Sequence, residues 1–330
     1  MEELINENVN FETRLDLAPL LDHVNAIKQE LETVIVGQHK MVDQLLVAIL
    51  SNGHVLLEGV PGVAKTITAK LLSKTLSIGF SRIQFTPDLM PSDILGTSVF
   101  NLKNSEFEFK KGPIFSNLVL IDEINRAPAK TQAALFEVME ERQISIDGKT
   151  YLLDTPFLVI ATQNPIEQEG TYRLPEAQLD RFLFKISISY PKLEEEIAII
   201  QREHALQNND KLNSIKAILS SVEIKKYQEL VKQIIVEQNL LEYIARIVVN
   251  TRENAFLYLG ASPRASIAIL NAAKGYAAIR GRDFVTPEDI KDAAIPVLQH
   301  RVIVTPEREM EGINSIEIIK QIIETVEIPR

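Results

Sequence analysis

Short runs of almost entirely apolar residues alternate with helix-like stretches between His54 and Ile188. Two of these runs, LVLI at Leu118–Ile121 and FLVIA at Phe157–Ala161, contain no polar residue that could face water. Strands that are buried on both faces belong to parallel sheets covered by helices on each side. The pattern therefore predicts a layered α/β domain built on a parallel sheet. The predicted strands are His54–Glu58, Ser81–Thr86, Asn117–Asp122, Pro156–Thr162 and Lys185–Ile188.

The segments on either side of this region carry helical periodicity. Leu17–Glu32 and His39–Ser51 precede the first strand. Beyond Pro191 the strand signal almost disappears, and successive amphipathic helices follow. No low-complexity linker separates the two parts. We therefore predict an α/β domain over residues 1–190 and an all-helical domain over residues 191–330, joined by a hinge.

Two stretches depart from the strand–helix alternation. Thr97–Lys111 alternates polar and apolar residues around a central turn, and Gln143–Leu153 does the same around Asp147–Gly148, a favoured two-residue turn. We predict that both are β-hairpin insertions in the α/β domain. From the pattern alone, a role in covering the sheet edge is as good an explanation as a functional one.

The sharpest chemical signal is GVPGVAKT, which lies directly after the first strand and directly before a helix. In the pattern Gly-x4-[Gly/Ala]-Lys-[Ser/Thr], backbone N–H groups of the loop and the helix N-terminus surround phosphate oxygens. Lys65 would contact the β- and γ-phosphates of a nucleotide, and Thr66 a Mg²⁺ ion. Ala64 stands where glycine is usual, and we expect it to be tolerated only with a negative φ angle. The predicted phosphate-binding residues are Gly59, Val60, Pro61, Gly62, Val63, Ala64, Lys65, Thr66 and Ile67.

A second signal is the pair of carboxylates that ends the buried strand LVLIDE at Leu118–Glu123. Consecutive strand residues point to opposite faces, but at the end of a strand the next residue can turn back toward the same cleft. Asp122 would then hold Mg²⁺, and Glu123 would polarise an attacking water. Phosphoryl transfer depends mainly on positioning and charge stabilisation, and these residues together with Lys65 could supply both.

Composition excludes several other chemistries. The chain has no cysteine, so disulfides, thiolate metal sites and cysteine nucleophiles are ruled out. Its formal net charge of −10 disfavours nucleic acid as the main partner. The five histidines show no metal-ligand spacing, and we expect them to be exposed or on helix faces. The chain has no apolar run long enough to insert into a membrane, and the acidic start MEELINENVN lacks the pattern of a signal peptide, so we expect a cytoplasmic location.

These motifs resemble those of the AAA+ ATPases and, within them, more closely the MoxR family. The resemblance extends from about Thr33 to Arg301 and is specific, because six motifs occur in order at suitable spacings. The matching segments are IVGQ (Ile35–Gln38), GVPGVAKT (Gly59–Thr66), VLIDEINRAPAKTQAALFEVMEERQISIDG (Val119–Gly148), ATQNP (Ala161–Pro165), LPEAQLDRF (Leu174–Phe182) and ASPRA (Ala261–Ala265).

The resemblance implies an AAA+ module, a five-stranded parallel sheet domain followed by a helical lid, with ATP in the cleft between them. It also implies roles that spacing alone does not give. Val36 and Gly37 match the loop that contacts adenine, and Asn164 matches the residue that senses the γ-phosphate. Arg181 resembles the arginine finger that reaches the nucleotide of a neighbouring subunit. Arg264 resembles the second sensor arginine, which would read the nucleotide held by the α/β domain and couple it to domain closure. Without the resemblance, Asn164 could simply cap a turn, and the two arginines could form surface ion pairs.

The activity implied by the resemblance is Mg²⁺-dependent hydrolysis of ATP to ADP and phosphate by a ring of identical subunits, with six as the family expectation. Hydrolysis would drive chaperone-like remodelling or maturation of a protein partner, often one with a von Willebrand factor A domain. The two hairpins would line or face the pore of the ring. Two alternatives stay open: a motor or chelatase-type subunit that acts on DNA or inserts a metal, and a scaffold gated by nucleotide without hydrolysis.

Overall fold

The computed structural model describes residues 15–60, 62–165, 172, 174–205 and 215–328. Residues 1–14, which include the acidic start of the chain, and Pro61 therefore lie outside the described part. The α-helices are α1 (Ala18–Glu32), α2 (His39–Leu50), α3 (Lys65–Thr75), α4 (Pro91–Leu95), α5 (Ala129–Glu141), α6 (Glu176–Leu179), α7 (Leu193–Ala205), α8 (Ser221–Lys232), α9 (Gln238–Glu253), α10 (Pro263–Ile279), α11 (Pro287–Leu298), α12 (Pro306–Met310) and α13 (Ser315–Thr325). The strands are β1 (His54–Gly59), β2 (Phe80–Gln84), β3 (Gly96–Asn101), β4 (Glu106–Lys111), β5 (Leu118–Asp122), β6 (Gln143–Ile146), β7 (Lys149–Leu152), β8 (Leu158–Gln163), β9 (Phe182–Ile188), β10 (Leu257–Leu259) and β11 (Ile303–Val304).

Five strands form the predicted parallel sheet, in the order β2-β5-β8-β1-β9. Alternate residues of β5 belong to two different cores: Leu118 and Leu120 pack on one face of the sheet, and Val119 and Ile121 on the other. Burial on both faces is the reason that this strand is apolar from Leu118 to Ile121. Because the strands are parallel, the carboxyl ends of β1, β5 and β8 lie side by side at one edge.

The second part of the chain is helical, apart from a short two-stranded ribbon of β10 and β11 that the sequence did not predict. Capping residues explain where two of its helices begin: Thr286 and Asp289 form a capping box at α11, and Pro263 is the first residue of α10. The core on one face of the sheet continues from α1, α2 and α3 into these helices. The five-stranded sheet with a helical lid is therefore confirmed, whereas the exact domain limits at residues 190 and 191 stay a prediction.

Both predicted hairpin segments form two-stranded antiparallel ribbons. β3 and β4 pair with Phe100 opposite Phe107, and β6 and β7 are joined at Asp147–Gly148. Both residues of this second turn have a positive φ angle, 51° and 74°, as a type I′ turn requires. Among the helices that the structure describes, none is long and apolar enough to span a lipid bilayer.

Two histidines contradict the expectation that these residues are exposed or on helix faces. His54, the first residue of β1, is only 4% exposed; Val159 N–H donates to its Nδ1 at 3.0 Å, and its Nε2 donates to the carbonyl oxygen of Met139 at 3.1 Å. Burial, with a smaller contribution from the charge of Arg142, lowers the pKa of His54 to about 3. His300 is also buried, and burial lowers its pKa well below the usual value.

This burial predicts a loss of stability in mild acid. Between pH 6.5 and pH 3 the unfolded chain binds a proton at His54 that the folded chain does not. The free energy of unfolding should therefore fall, as pH drops below 6.5, by about 1.4 kcal/mol per pH unit for each buried histidine. Urea unfolding between pH 7 and pH 5 measures this slope, and His54→Asn should reduce it. His204→Gln, at an exposed position on α7, is the control and should keep the wild-type slope; an unchanged slope in His54→Asn would contradict the assignment.

Candidate functional site

A cleft of about 400 Å³ lies at the edge of the sheet where β1, β5 and β8 end. The described residues that line it all come from the α/β part of the chain. They are Gly62, Ala64, Lys65, Thr66, Ile67, Arg82, Gln84, Asp122, Glu123, Thr162 and Asn164. The cleft thus brings the predicted phosphate loop, the acidic pair and Asn164 together, although about 100 residues separate the first from the last.

The phosphate loop runs from the end of β1 to the start of α3 at Lys65. The Lys65 Nζ donates to the carbonyl oxygen of Gly59 at 2.5 Å, which closes the loop on itself. The backbone N–H groups of the first turn of α3 have no partner within the helix, and the positive end of the helix dipole lies there. Five of the predicted loop residues, from Gly62 and from Ala64 to Ile67, line the cleft.

The remaining described loop residues face the core or the neighbouring strand and not the cleft. Val63 is 6% exposed and belongs to the core, and Val60 packs against that core. At Gly59, a Cβ atom would lie 2.9 Å from the carbonyl oxygen of Ile188 on the neighbouring strand β9, so a side chain has little room. Pro61 lies outside the described residues.

The conformation of Ala64 corrects the expectation of a negative φ angle. Ala64 is the N-cap of α3 and has φ 61° and ψ 16°, in the left-handed region. Its carbonyl oxygen accepts hydrogen bonds from the N–H and the hydroxyl of Thr68, so the first turn of the helix fixes this conformation. The hydrogen bonds at the start of α3 therefore hold Ala64 at a positive φ angle, although this backbone conformation costs an alanine about 1 kcal/mol.

The acidic pair is held by neighbouring strands. Asp122 is 7% exposed; its Oδ1 accepts from the hydroxyl of Thr162 at 3.2 Å, and its Oδ2 accepts from Nε of Arg82 at 2.6 Å. The Thr162 hydroxyl in turn accepts from the N–H of Glu123 at 3.0 Å. Glu123 has a left-handed backbone, with φ 57° and ψ 54°. This turn in the backbone is what allows two consecutive carboxylates to reach one cleft.

The carboxylate of Glu123 is oriented by two further side chains. Its Oε2 accepts from Nε2 of Gln84 at 2.8 Å and lies 2.9 Å from Nε of Arg126. Asn164, 9% exposed, lies one residue beyond the end of β8 and faces the same cleft. The geometry thus places the oriented carboxylate of Glu123, the amide of Asn164 and the cationic side chains of Lys65 and Arg82 around a single cavity.

Sequence reasoning missed three residues of this cleft: Arg82, Gln84 and Thr162. Arg82 and Gln84 are alternate residues of β2, so they share one face, and β2 pairs directly with β5. Thr162 is the first polar residue after the apolar run of β8, beside Asp122 in the sheet. Polar residues at the carboxyl ends of neighbouring strands therefore indicate which side chains can reach this cleft, even where no known motif includes them.

The predicted adenine-contacting residues lie outside this cleft. Gly37 lines a separate cavity of about 190 Å³, together with residues of α1 and α2. A Cβ atom at Gly37 would lie 2.3 Å from Oε1 of Glu195, so α7 of the lid approaches the loop closely. Val36, half-buried, precedes Gly37 in the same loop.

Arg181 and Arg264 also lie outside the cleft lining. Arg181 directly precedes β9, and its Nη1 donates to the carbonyl oxygen of Phe136 at 2.8 Å and lies 3.4 Å from Oε2 of Glu140. Because Phe182 pairs with His54 at the amino end of β1, Arg181 lies about 20 Å, six strand residues, from the loop at the carboxyl end of β1. Arg264, with 67% of its side chain exposed, lies 3.9 Å from Oδ2 of Asp180 at the same end of the sheet.

Comparisons with known proteins agree with this architecture. The family model described as "ATPase family associated with various cellular activities (AAA)" matches residues 54–184, and the model of the AAA lid domain matches residues 249–322. The chain is 46% identical to the chaperone MoxR1 of Mycobacterium tuberculosis, over 91% of this chain and 81% of that protein. It is 44% identical to the uncharacterized protein YeaC of Bacillus subtilis, over 95% of this chain and 96% of that protein. A crystal structure from Cytophaga hutchinsonii, described only as a candidate ATPase, superposes with a TM-score of 0.87 at 43% identity, over 95% of this chain and 97% of that one.

The left-handed conformation of Ala64 predicts an unusual gain in stability. Ala64→Gly should raise the free energy of unfolding by about 1 kcal/mol, because glycine adopts a positive φ without strain. The matched control is Ala133→Gly, at an exposed position inside α5, which should lower the free energy of unfolding by about 1 kcal/mol. Denaturant unfolding without nucleotide measures both, and a loss of stability in Ala64→Gly would contradict the conformation of the loop.

Proposed function

The chain belongs to the MoxR family of AAA+ ATPases, and on that premise we propose that it hydrolyses ATP to ADP and phosphate with Mg²⁺. The observation that carries the proposal is the single cleft that joins Lys65, Thr66, Asp122, Glu123 and Asn164. A cleft with a helix N-terminus, a lysine and a pair of carboxylates suits a nucleoside triphosphate and its metal ion. The implied cytoplasmic location stays a prediction of the sequence.

Within the cleft each residue has a distinct task. The loop from Gly59 to Ile67 holds phosphate oxygens through backbone N–H groups, and the Lys65 ammonium neutralises their charge. Thr66 and Asp122 offer a hydroxyl and a carboxylate, the oxygen ligands that Mg²⁺ prefers. Bound Mg²⁺ would supply further neutralisation of phosphate charge. Because Arg82 already binds Oδ2 of Asp122, the metal ion and the guanidinium would compete for this oxygen.

Glu123 is the proposed base that orients and polarises the attacking water, and Asn164 the residue that senses the γ-phosphate. In the structure Gln84 and Arg126 both bind the Oε2 side of the Glu123 carboxylate, which leaves Oε1 as the oxygen for water. The hydrogen bond from the Glu123 N–H to Thr162 fixes the backbone beneath it. These contacts support a carboxylate held in one orientation, as general-base catalysis requires.

We further propose that the site is completed by a second copy of the chain in a ring, for which six subunits stay the family expectation. Arg181 and Arg264 lie at the amino end of the sheet, whereas the cleft lies at the carboxyl end, and an arginine side chain cannot span about 20 Å. We therefore propose that both residues serve a neighbour's nucleotide. For Arg264 this replaces the expectation from the sequence that it reads the nucleotide of its own α/β domain. The ion pairs that they form within the single chain are the alternative, surface role, and the experiment below distinguishes the two.

The work driven by hydrolysis is proposed to be remodelling or maturation of a protein partner. Side chains near the end of the first hairpin are apolar and exposed: Phe100 by 45%, Phe107 by 72% and Leu102 by 85%. Phe109 of this hairpin packs on Tyr151 of the second, with ring centroids 4.5 Å apart, and Ser98 donates to Asp147. The two hairpins thus form one unit with an apolar tip, which supports contact with a protein more than with DNA. A partner with a von Willebrand factor A domain stays a proposal drawn from the family.

The shared site predicts complementation between two inactive proteins. Lys65→Ala should lose nucleotide binding, and Arg181→Ala should bind ATP but lose turnover by about 10³-fold or more. In an equal mixture, about a quarter of head-to-tail interfaces would pair an intact cleft with an intact Arg181, so phosphate release should recover in part. The assay is steady-state phosphate release at protein concentrations where the chain assembles.

Four results would count against this proposal. Normal turnover of Arg181→Ala, or no recovery at any mixing ratio, would contradict the contribution of Arg181 to a neighbouring site. Absence of turnover in the assembled wild-type protein would favour the non-hydrolysing scaffold. Stimulation of phosphate release by duplex DNA, tested in the same assay, would favour a DNA motor.

The exposed hairpin tip predicts where the partner binds. Glu123→Gln should bind ATP without hydrolysing it and so retain the partner during affinity purification in ATP. Adding Leu102→Ser and Phe107→Ser in this background should abolish recovery of a von Willebrand factor A domain protein, as identified by mass spectrometry. Val222→Ser, which removes an equally exposed apolar side chain from α8, is the matched control and should leave recovery unchanged. Equal recovery from all three proteins would exclude the hairpin as the binding surface.

A further inference from the structure

Three consecutive residues of the lid form hydrogen bonds to β9, the edge strand of the sheet. Gln299, His300 and Arg301 follow α11 directly, and all three bond to β9. Gln299 Nε2 donates to the carbonyl oxygen of Lys185, and its Oε1 accepts from the hydroxyl of Ser187 at 3.2 Å. β9 has a strand partner on one side only, so its outward carbonyl groups need other donors. The lid supplies these donors.

Arg301 makes the most extensive of these contacts. Only 5% of its side chain is exposed, yet it extends across the start of β9. Its Nη2 donates to the carbonyl oxygens of Asp180 at 2.9 Å and Phe182 at 2.7 Å, on either side of Arg181, and its Nε donates to the Asp180 carboxylate at 2.6 Å. Its Nη1 donates to the carbonyl oxygen of Val297, at the end of α11, at 2.5 Å. One buried guanidinium thus joins the lid to the residues that bracket Arg181.

Asp180 links this contact to the second arginine of the proposed shared site. Its Oδ1 accepts from Arg301, and its Oδ2 lies 3.9 Å from Nη1 of Arg264 on α10. The carboxylate is 18% exposed and lies between a buried arginine and an exposed one. Asp180 therefore connects the segment that carries Arg181, at the start of β9, to Arg264 on the lid.

We propose that Asp180 and Arg301 are positioning residues that hold Arg181 and Arg264 in place for the nucleotide of the neighbouring subunit. The proposal rests on the shared site proposed above. Neither residue lines the chain's own cleft, so neither affects how that cleft binds nucleotide. A guanidinium that bonds to several acceptors in a fixed fork fixes both the position and the orientation of the segment that it binds. A displacement of about 1 Å at such a site can lower a rate about 100-fold.

The test places the same substitution on either side of the mixed interface. Lys65→Ala protein supplies Arg181 and is the donor, and Arg181→Ala protein supplies the cleft and is the acceptor. Asp180→Ala in the donor should lower the recovered phosphate release by about tenfold or more. Asp180→Ala in the acceptor should leave recovery unchanged, because the acceptor's own arginine segment is not used. ATP binding by Asp180→Ala alone, measured with a fluorescent ATP analogue, should match that of the wild type.

Arg301→Lys in the donor is the second variant, and it keeps the charge but loses the fork. It should also reduce recovery, whereas Asp292→Ala should not. Asp292 is the matched control because it is an exposed carboxylate of α11, and its ion pair is with Arg280, within the lid. Loss of recovery with Asp292→Ala would mean that any damage to the lid has this effect, which would overturn the proposal.

The outcomes separate this inference from the proposed function. If the parental mixture of Lys65→Ala and Arg181→Ala recovers no activity, the shared site itself is wrong. If the parental mixture recovers activity and Asp180→Ala in the donor does so equally well, the positioning role is wrong while the shared site stands. Equal loss in the donor and acceptor arms would show a general structural role and would likewise overturn the inference.

Discussion

Parallel pairing of buried strands is the constraint on which the rest of this structure depends. Because β1, β5 and β8 are parallel neighbours, whatever follows each strand must emerge at one edge of the sheet. The phosphate loop, the carboxylates of Asp122 and Glu123, and Asn164 meet there although they are far apart in sequence. The same geometry sends Arg181, which precedes β9, to the opposite edge. The topology thus places the residues of the cleft and the proposed arginine finger at opposite ends of the sheet.

Because Arg181 and the cleft lie at opposite ends of the sheet, catalysis on the proposed mechanism would depend on assembly with a second copy of the chain. A cleft that holds a nucleotide but lacks an arginine finger would turn over slowly until a second copy of the chain supplies one. The lid also contacts this part of the sheet. Residues 299–301 donate hydrogen bonds to carbonyl groups of β9, and Asp180, just before β9, lies beside Arg264 of α10. A movement of the lid would therefore move Arg181 with it. Nucleotide state in one subunit and the arginine that it offers to the next would be coupled through these contacts.

The sequence predicted the elements better than the contacts between them. Apolar runs identified the central strands β5 and β8, because burial on both faces leaves little room for polar residues, and the alternation of strands with helices identified the others. The six motifs identified the family. The conformation of Ala64 was predicted wrongly, because the start of α3 prevails over residue preference. Arg82, Gln84 and Thr162 reach the cleft through strand pairing, and Arg301 reaches Asp180 across 121 residues. Pairings at such a distance follow from the packed fold and not from local pattern.

On the proposed mechanism, a complete catalytic site needs two copies of this chain. The most direct measurement is a structure of assembled Glu123→Gln protein with ATP and Mg²⁺. We expect nucleotide in the cleft of Lys65 and Thr66, with Arg181 of the adjacent copy released from its Phe136 carbonyl and in contact with that nucleotide. A structure in which Arg181 stays on Phe136, and each nucleotide contacts residues of one chain only, would contradict it.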